Sequence, residues 1–193
     1  MTTHPLHKKS LFDIAFLSLI FVACSPNLQS KNELQPTALM KHETKWLVEA
    51  LEKAHYSKVS IKNLDRDGFI DHYLQKLDNQ KLYFINSEVE GFKKSYEPTL
   101  VTYFEQGNLF PGFEIYNSYK TNSLKRIKWA IEFLTEYPKL DSNRTYTPDR
   151  TELDWASSVD ELDETWKNLI TFEFLNETLA KLDTNETLDG ISD

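Results

Sequence analysis

Apolar residues recur at three- and four-residue steps along most of the chain, which is the pattern of amphipathic helices. Such stripes lie at residues 39–54, 69–77, 89–96, 113–134 and 162–175. The whole chain contains five glycines and seven prolines, which is too few for a sheet-rich fold with many tight turns. The sequence therefore predicts an all-α fold, a single helical domain of about five to six helices.

Polar residues and prolines predict where these helices begin and end. Ser87 is the predicted N-cap of the third helix, and the segment 106–113, "QGNLFPGF", is a predicted loop. The longest helix is predicted from Phe113 to Tyr137. The S-x-x-E spacing of Ser158 and Glu161 predicts a capping box at the start of the final helix.

The longest predicted helix has a basic side opposite its apolar stripe. Its basic residues are Lys120, Lys125, Arg126 and Lys128.

The N-terminus has the composition of an export signal. A largely apolar stretch from Leu11 to Ala23 follows Lys8 and Lys9; it is too short to span a bilayer comfortably but suits a signal-peptide core. Cys24 comes next, and "FVAC" is similar to a bacterial lipobox, in which the cysteine is lipidated and becomes the mature N-terminus. A plain cleaved signal peptide with an incidental cysteine is the alternative.

These features divide the chain into four predicted parts. They are a lipoprotein-type signal peptide at 1–23, a flexible tether at 24–38, the helical domain at 39–183 and a polar tail at 184–193. The predicted lipid attachment site is Cys24. We therefore expect the protein in the bacterial cell envelope, facing the periplasm and anchored to a membrane through its lipidated N-terminus.

The charge distribution argues against nucleic acid as a partner. The net charge is −8, and from Asp149 onward the chain has 13 acidic and 3 basic residues. Nucleic-acid binding needs stripes of Lys and Arg for the phosphates. With 40% hydrophobic and 13% aromatic residues, the chain is also too apolar to be disordered.

Residues 63–74, "NLDRDGFIDHYL", are similar to a calcium-binding EF-hand loop in their acids and in Gly68 at the sixth position. The twelfth position, where such a loop needs a bidentate glutamate, is Leu74, which belongs to an apolar helical stripe. We therefore interpret Asp65 or Asp67 as a helix cap. A calcium-binding lipoprotein remains the less favoured alternative.

No other motif in the sequence predicts a catalytic, cofactor-binding or metal site. The five histidines form no H-E-x-x-H pair, and the chain has no G-x-S-x-G elbow and no phosphate-binding glycine loop. A single cysteine excludes an internal disulfide. We expect no catalytic residue, no cofactor and no metal.

Four stretches, in their order and spacing, resemble the N-terminal domain of tail-specific proteases, the carboxy-terminal processing peptidases. They contain a His-Tyr turn, a Leu-Asp helix end followed by Lys-x-Tyr-Phe, a Phe-Glu-Ile-Tyr segment, an Asp-Arg before a tryptophan, and an acidic helix with a Leu-x-x-x-Trp core. The stretches are 54–84, 113–134, 145–168 and 172–183.

The resemblance implies a helical platform that helps to shape the substrate cradle or docks protein partners. Full-length members of this family are serine endopeptidases that recognise substrate C-termini through a PDZ domain and cut with a serine–lysine dyad, and neither is found in these 193 residues. The sequence therefore predicts the non-catalytic N-terminal domain of a truncated or split protease, partnered by a PDZ and protease domain. The alternative is a stand-alone lipid-anchored binding protein or regulator of envelope proteolysis.

Overall fold

The structure is a computed structural model that describes residues 33–56, 60–135 and 145–183, with side chains up to residue 180. The predicted signal peptide, most of the predicted tether including Cys24, and the predicted tail lie outside the described residues. Residues 33–171 form one compact unit, and the residues from 172 onward belong to a second. In the described part of the chain, no helix is both long enough and apolar enough to cross a membrane.

The described residues form six α-helices and two short 3-10 turns, with no β-strand among them, which confirms the predicted all-α class. The 3-10 turns are Ile61–Asn63 and Glu97–Thr99. A single isolated β-bridge joins Ile85 and Ala156. The helices are α1 (Ala38–Lys53), α2 (Arg66–Leu77), α3 (Asn86–Tyr96), α4 (Leu100–Glu105), α5 (Phe110–Leu134) and α6 (Val159–Asp183).

Asp65 is the N-cap of α2, as the sequence analysis proposed in place of a calcium ligand. Its carboxylate accepts a hydrogen bond from the Gly68 backbone N–H at 3.1 Å. A Cβ at position 68 would clash with that carboxylate, so Gly68 is explained by the cap. Leu74 is buried in the core, where a calcium ligand could not lie.

Two predicted helix starts differ from the structure. α3 begins at Asn86 and not after Ser87, because the Glu88 carboxylate reaches back and accepts the Ile85 N–H at 3.0 Å. α5 begins at Phe110, inside the predicted loop 106–113. Pro111 lies in the first turn of α5, where its fixed φ and missing N–H favour a helix start.

The predicted capping box of α6 is formed in part. The Ser158 hydroxyl accepts the Glu161 N–H at 3.2 Å, as predicted. The Glu161 carboxylate accepts from the backbone N–H and the hydroxyl of Ser157, at 2.8 and 2.6 Å, one residue earlier than expected. Both interactions satisfy polar groups that a helix start leaves unpaired.

Gly107 ends α4 in a Schellman motif and brings the chain against α1. Its N–H donates to the Phe104 carbonyl, and the Asn108 N–H donates to the Tyr103 carbonyl, at 2.9 and 2.7 Å. Its φ of +64° favours glycine, and a Cβ here would meet the carbonyl oxygen of Lys41. The close contact between this turn and α1 therefore requires glycine.

The core lies where α2, α3, α4 and α5 meet. Half-buried aromatic rings surround it, among them Phe92, Phe104, Tyr119 and Trp155. Its buried residues are Ile70, Leu74, Phe84, Val89, Tyr96, Leu100 and Ile115.

One residue of the predicted basic side of α5 does not face solvent. Arg126 is buried, and its guanidinium donates to the Asp163 carboxylate, which joins α5 to α6. It also lies 5.6 Å from the centroid of the Trp129 ring. A long side chain on the polar side of a helix is thus buried because the acidic α6 supplies its partner.

Candidate docking surfaces

The Leu-Asp and Lys-x-Tyr-Phe motif that follows α2 forms a closed polar loop. The Asp78 carboxylate accepts hydrogen bonds from the backbone N–H groups of Leu82, Tyr83 and Phe84, at 2.7, 2.8 and 3.0 Å. Burial raises the pKa of Asp78 above its usual value, although these three N–H groups and Arg150 act in the opposite direction. Asp78 therefore stabilises the backbone that places Phe84 in the core.

Lys81 ties this loop to the irregular segment before α6. It is only 7% exposed, and its ammonium group donates to the Thr151 carbonyl and lies 5.9 Å from the centroid of the Trp155 ring. The neighbouring Gln80 accepts from Arg150 through its side-chain oxygen, at 2.8 Å, and through its backbone carbonyl, at 3.2 Å.

The tryptophan of the acidic helix closes the same cluster. The Trp166 indole N–H donates to the Leu82 carbonyl at 2.7 Å, and its ring lies 5.8 Å from that of Tyr83. Motif residues from two of the four stretches, 54–84 and 145–168, therefore converge on one loop. These side chains stabilise the fold, because the polar groups of Asp78, Lys81, Arg150 and Trp166 are hydrogen-bonded to the backbone of this chain.

α1 presents an apolar face that no described element covers. Leu39, Trp46, Leu47 and Leu51, which we call the α1 face, share one side of the helix, and Trp46 is 67% exposed. The half-buried residues of α1 that lie on its other side include Val48 and Glu52. No residue of α1 is fully buried, so this helix leaves most of its apolar surface open to a partner.

A second surface is an apolar cavity of about 230 Å³ between α2, α4 and the start of α5. Phe69, Phe104, Leu109 and Phe113 line it together with Gly112. The Tyr73 hydroxyl donates to the Gly112 carbonyl at 2.9 Å and fixes one wall. A cavity of this size and lining can hold one large apolar side chain.

A polar groove adjoins the cavity along α5, and Phe113 lines both. The charged groups of the groove are the carboxylates of Glu33, Glu88 and Glu114 and the ammonium of Lys125. The Tyr96 hydroxyl donates to Glu114. Burial, followed by this hydrogen bond, raises the pKa of Tyr96, so the phenol remains a donor.

Asn117 binds the backbone of Leu34 in this groove. Its side-chain oxygen accepts from the Leu34 N–H at 3.0 Å, and its side-chain nitrogen donates to the Leu34 carbonyl at 2.9 Å. Leu34 falls within the last part of the predicted tether. The groove was not predicted, although one signal was available: the groove residues 110, 114, 117, 121 and 125 are spaced by three and four residues.

The sequence analysis named one site residue, Cys24, which lies outside the described residues. Of the histidines that the structure describes, His42, His55 and His72 are all exposed. Among the described residues, no group of three or more His, Cys, Asp or Glu side chains could hold a metal ion.

Comparison with known proteins places the chain in a family. The family model of the tail-specific protease N-terminal domain matches residues 47–191, three quarters of the chain. A tail-specific protease of Haemophilus influenzae (strain ATCC 51907 / DSM 11121 / KW20 / Rd) is 22% identical over 133 residues, which are 69% of this chain and 19% of that protein. The chain thus matches about one fifth of the length of this curated relative. The matched residues 47–191 include the motif residues around Asp78. The chain belongs to the family of tail-specific protease N-terminal domains.

Proposed function

We propose that this chain is the non-catalytic N-terminal part of a tail-specific protease and docks onto the PDZ and protease part of such an enzyme. The second part is encoded either in the same reading frame or in a separate one, as in a split protease. The observation that carries this proposal is the α1 face, an uncovered apolar surface on a domain of this family. The matched segment is 19% of the relative, so most of that protein lies outside it and can offer a complementary surface.

The physical argument is the exposure of large side chains. Burial of exposed tryptophan and leucine side chains against a partner is favourable, by about 25 cal/mol per Å² of apolar area removed from water. Tryptophan is also enriched among the residues that dominate binding energy. Trp46 lies between Leu39 and Leu51 on the α1 face, which is the arrangement of a central anchor with apolar neighbours.

The first experiment is to sequence the locus through and beyond codon 193 and to measure the mass of the cellular product. A frame that encodes a PDZ domain and a serine–lysine protease domain, continuous or nearby, supports the proposal and supplies the partner for binding assays. A genuine stop with no such frame in the genome contradicts it. That result would favour a stand-alone binding protein.

The double variant Trp46→Glu/Leu47→Glu is expected to weaken binding to that protease part by about 30-fold or more, since a central tryptophan contributes about 2 kcal/mol or more. Its thermal unfolding should hardly change, because both side chains are exposed. Analytical ultracentrifugation of the mixed proteins measures the binding. The matched control is Leu124→Glu/Ile127→Glu on the exposed side of α5; equal losses in the two variants would exclude a specific role of the α1 face.

We place the protein in the cell envelope with a lipid on Cys24, on the strength of the apolar leader before that residue. Cys24→Ser is expected to abolish incorporation of labelled palmitate and to change the mass of the mature product. Metabolic labelling followed by mass spectrometry measures both. Labelling that persists in Cys24→Ser would contradict the assignment, and an unlabelled wild type cut before Ser25 would favour a plain signal peptide.

A further inference from the structure

α1 differs from the other helices in how it is attached to the domain. None of its sixteen residues is buried, whereas each of the other five described α-helices has at least one buried residue. Only four residues of α1 are half-buried, namely Thr44, Val48, Ala50 and Glu52. Detachment of α1 would therefore expose little additional apolar surface, so hydrophobic packing contributes little to holding it in place.

Polar contacts attach α1 on both sides. Before the helix, the Asn117 side chain of α5 accepts the Leu34 N–H at 3.0 Å and donates to the Leu34 carbonyl at 2.9 Å. Near the end of the helix, the Glu52 carboxylate accepts from the Ser60 hydroxyl at 3.0 Å and from the Ile61 N–H at 2.9 Å. We call these the Leu34 contact and the Glu52 contact. Each depends on one side chain and two hydrogen bonds, so a single substitution can remove it.

Between these two contacts, α1 packs against α4 and the turn that follows it. α4 has six residues and is the shortest of the described α-helices. The turn at Gly107 lies close to the Lys41 carbonyl, so two stretches of backbone meet there. This packing brings no fully buried side chain from α1 into the domain.

We propose that α1 opens as a unit from a domain that stays folded, and that the Leu34 contact and the Glu52 contact hold it closed. In native proteins, elements with few buried apolar contacts open at a lower free energy than the core. Because α1 carries the α1 face, opening changes how that face is presented: it also frees the opposite side of the helix, which includes Val48, for a partner. In this the inference rests on the proposed function, but its test uses this chain alone.

The test is amide hydrogen exchange of the full chain, measured residue by residue by NMR. The protection factors of amides 42–53 in α1 should be about 100-fold or more below those of the core amides of α5. They should also be equal to one another, because a unit that opens all at once gives its amides one opening equilibrium. Protection that decreases gradually toward the helix ends would indicate fraying, and protection equal to that of α5 would show that α1 opens only with the whole domain. Either result overturns the proposal.

Two glutamates of α1 provide a matched pair of variants for the Glu52 contact. Glu52→Ala removes the charged acceptor of two hydrogen bonds and should raise the exchange of all amides 42–53 about tenfold. Glu49→Ala makes the same change of residue type, so helix propensity changes equally. It removes an exposed ion pair with Lys53 of the same helix and should change the exchange about twofold or less.

Two asparagines of α5 provide the corresponding pair for the Leu34 contact. Asn117→Ala removes both of its hydrogen bonds and should raise the exchange throughout α1 about fivefold or more. The Asn122 side chain donates to the Glu88 carboxylate and not to the segment before α1. Asn122→Ala should therefore leave the exchange of α1 within about twofold of the wild type.

The position of the change along α1 decides between opening as a unit and a local effect. The proposal is overturned if Glu52→Ala accelerates only the last turn of α1, if either variant behaves as its control does, or if the amides of α5 accelerate as much as those of α1. None of these measurements involves a partner. Failure here therefore leaves docking through the α1 face untouched, and loss of docking in Trp46→Glu/Leu47→Glu is read from binding alone.

Discussion

Replacement of Phe84 with alanine is expected to lower the free energy of unfolding by about 3–5 kcal/mol, the usual cost of deleting a buried aromatic ring. The Phe84 side chain is 0% exposed. Its ring centroid lies 5.7 Å from that of Phe92 and 6.1 Å from those of Tyr119 and Trp155. Its loss would leave a cavity where α3, α5 and the segment before α6 meet. Urea unfolding followed by circular dichroism measures the change.

Phe69→Ala is the control for this prediction, because it deletes the same ring from a side chain that is 43% exposed. We expect it to cost less than half as much, since part of its surface is already in water. If the two variants lost equal stability, the assignment of Phe84 to the centre of the core would be wrong.

Asp78→Ala is expected to cost about 3 kcal/mol or more, because it leaves three backbone N–H groups without their acceptor, at about 1–3 kcal/mol for each that stays buried. The affected groups belong to Leu82, Tyr83 and Phe84. Asp149→Ala is the matched control. Its carboxylate also binds local groups, the N–H and the hydroxyl of Thr151, but it is exposed, so water can replace it and the loss of stability should be much smaller than in Asp78→Ala. Comparable losses in the two variants would contradict a special role for Asp78.

The raised pKa of Asp78 also predicts how the free energy of unfolding depends on pH. Burial raises its pKa in the folded protein above the usual value of an aspartate in the unfolded chain, so between the two pKa values the folded protein binds more protons than the unfolded chain. The contribution of Asp78 to the free energy of unfolding therefore decreases as the pH rises through that window. Asp78→Asn should lack this slope, which unfolding experiments from pH 3.5 to 7 on both proteins would show. A slope that is the same in both proteins assigns the pH dependence to other groups.

These two residues also explain why the family motifs lie where they do. Lys81 and Phe84 belong to one motif and Trp166 belongs to a distant one, and all three meet around the loop that Asp78 stabilises. The sequence identified the motifs but gave no reason for them. That reason is a contact between residues as many as 84 positions apart, Trp166 and Leu82, which helical periodicity cannot express.

Local chemistry explains why some details were predicted and others were not. Asp65 and Ser158 cap their helices because short polar side chains reach backbone N–H groups within three residues. The start of α5 was misplaced because a proline was interpreted as a loop residue, although it suits the first turn of a helix equally well. The burial of Arg126 could not be predicted, because its partner, Asp163, lies on another helix.

The sequence by itself determined the all-α class, the amphipathic stripes of five of the six helices and the family to which the chain belongs, because 3.6-residue periodicity and motif order are properties of the chain alone. What each stripe faces was decided by the tertiary structure. The stripe of α2 faces the core through Leu74, whereas α1 keeps Trp46 and Leu47 in solvent, since α1 packs through its other side against α4 and the 3-10 turn Ile61–Asn63. The cavity likewise exists only where α2, α4 and α5 meet, since its walls come from residues that no local pattern brings together.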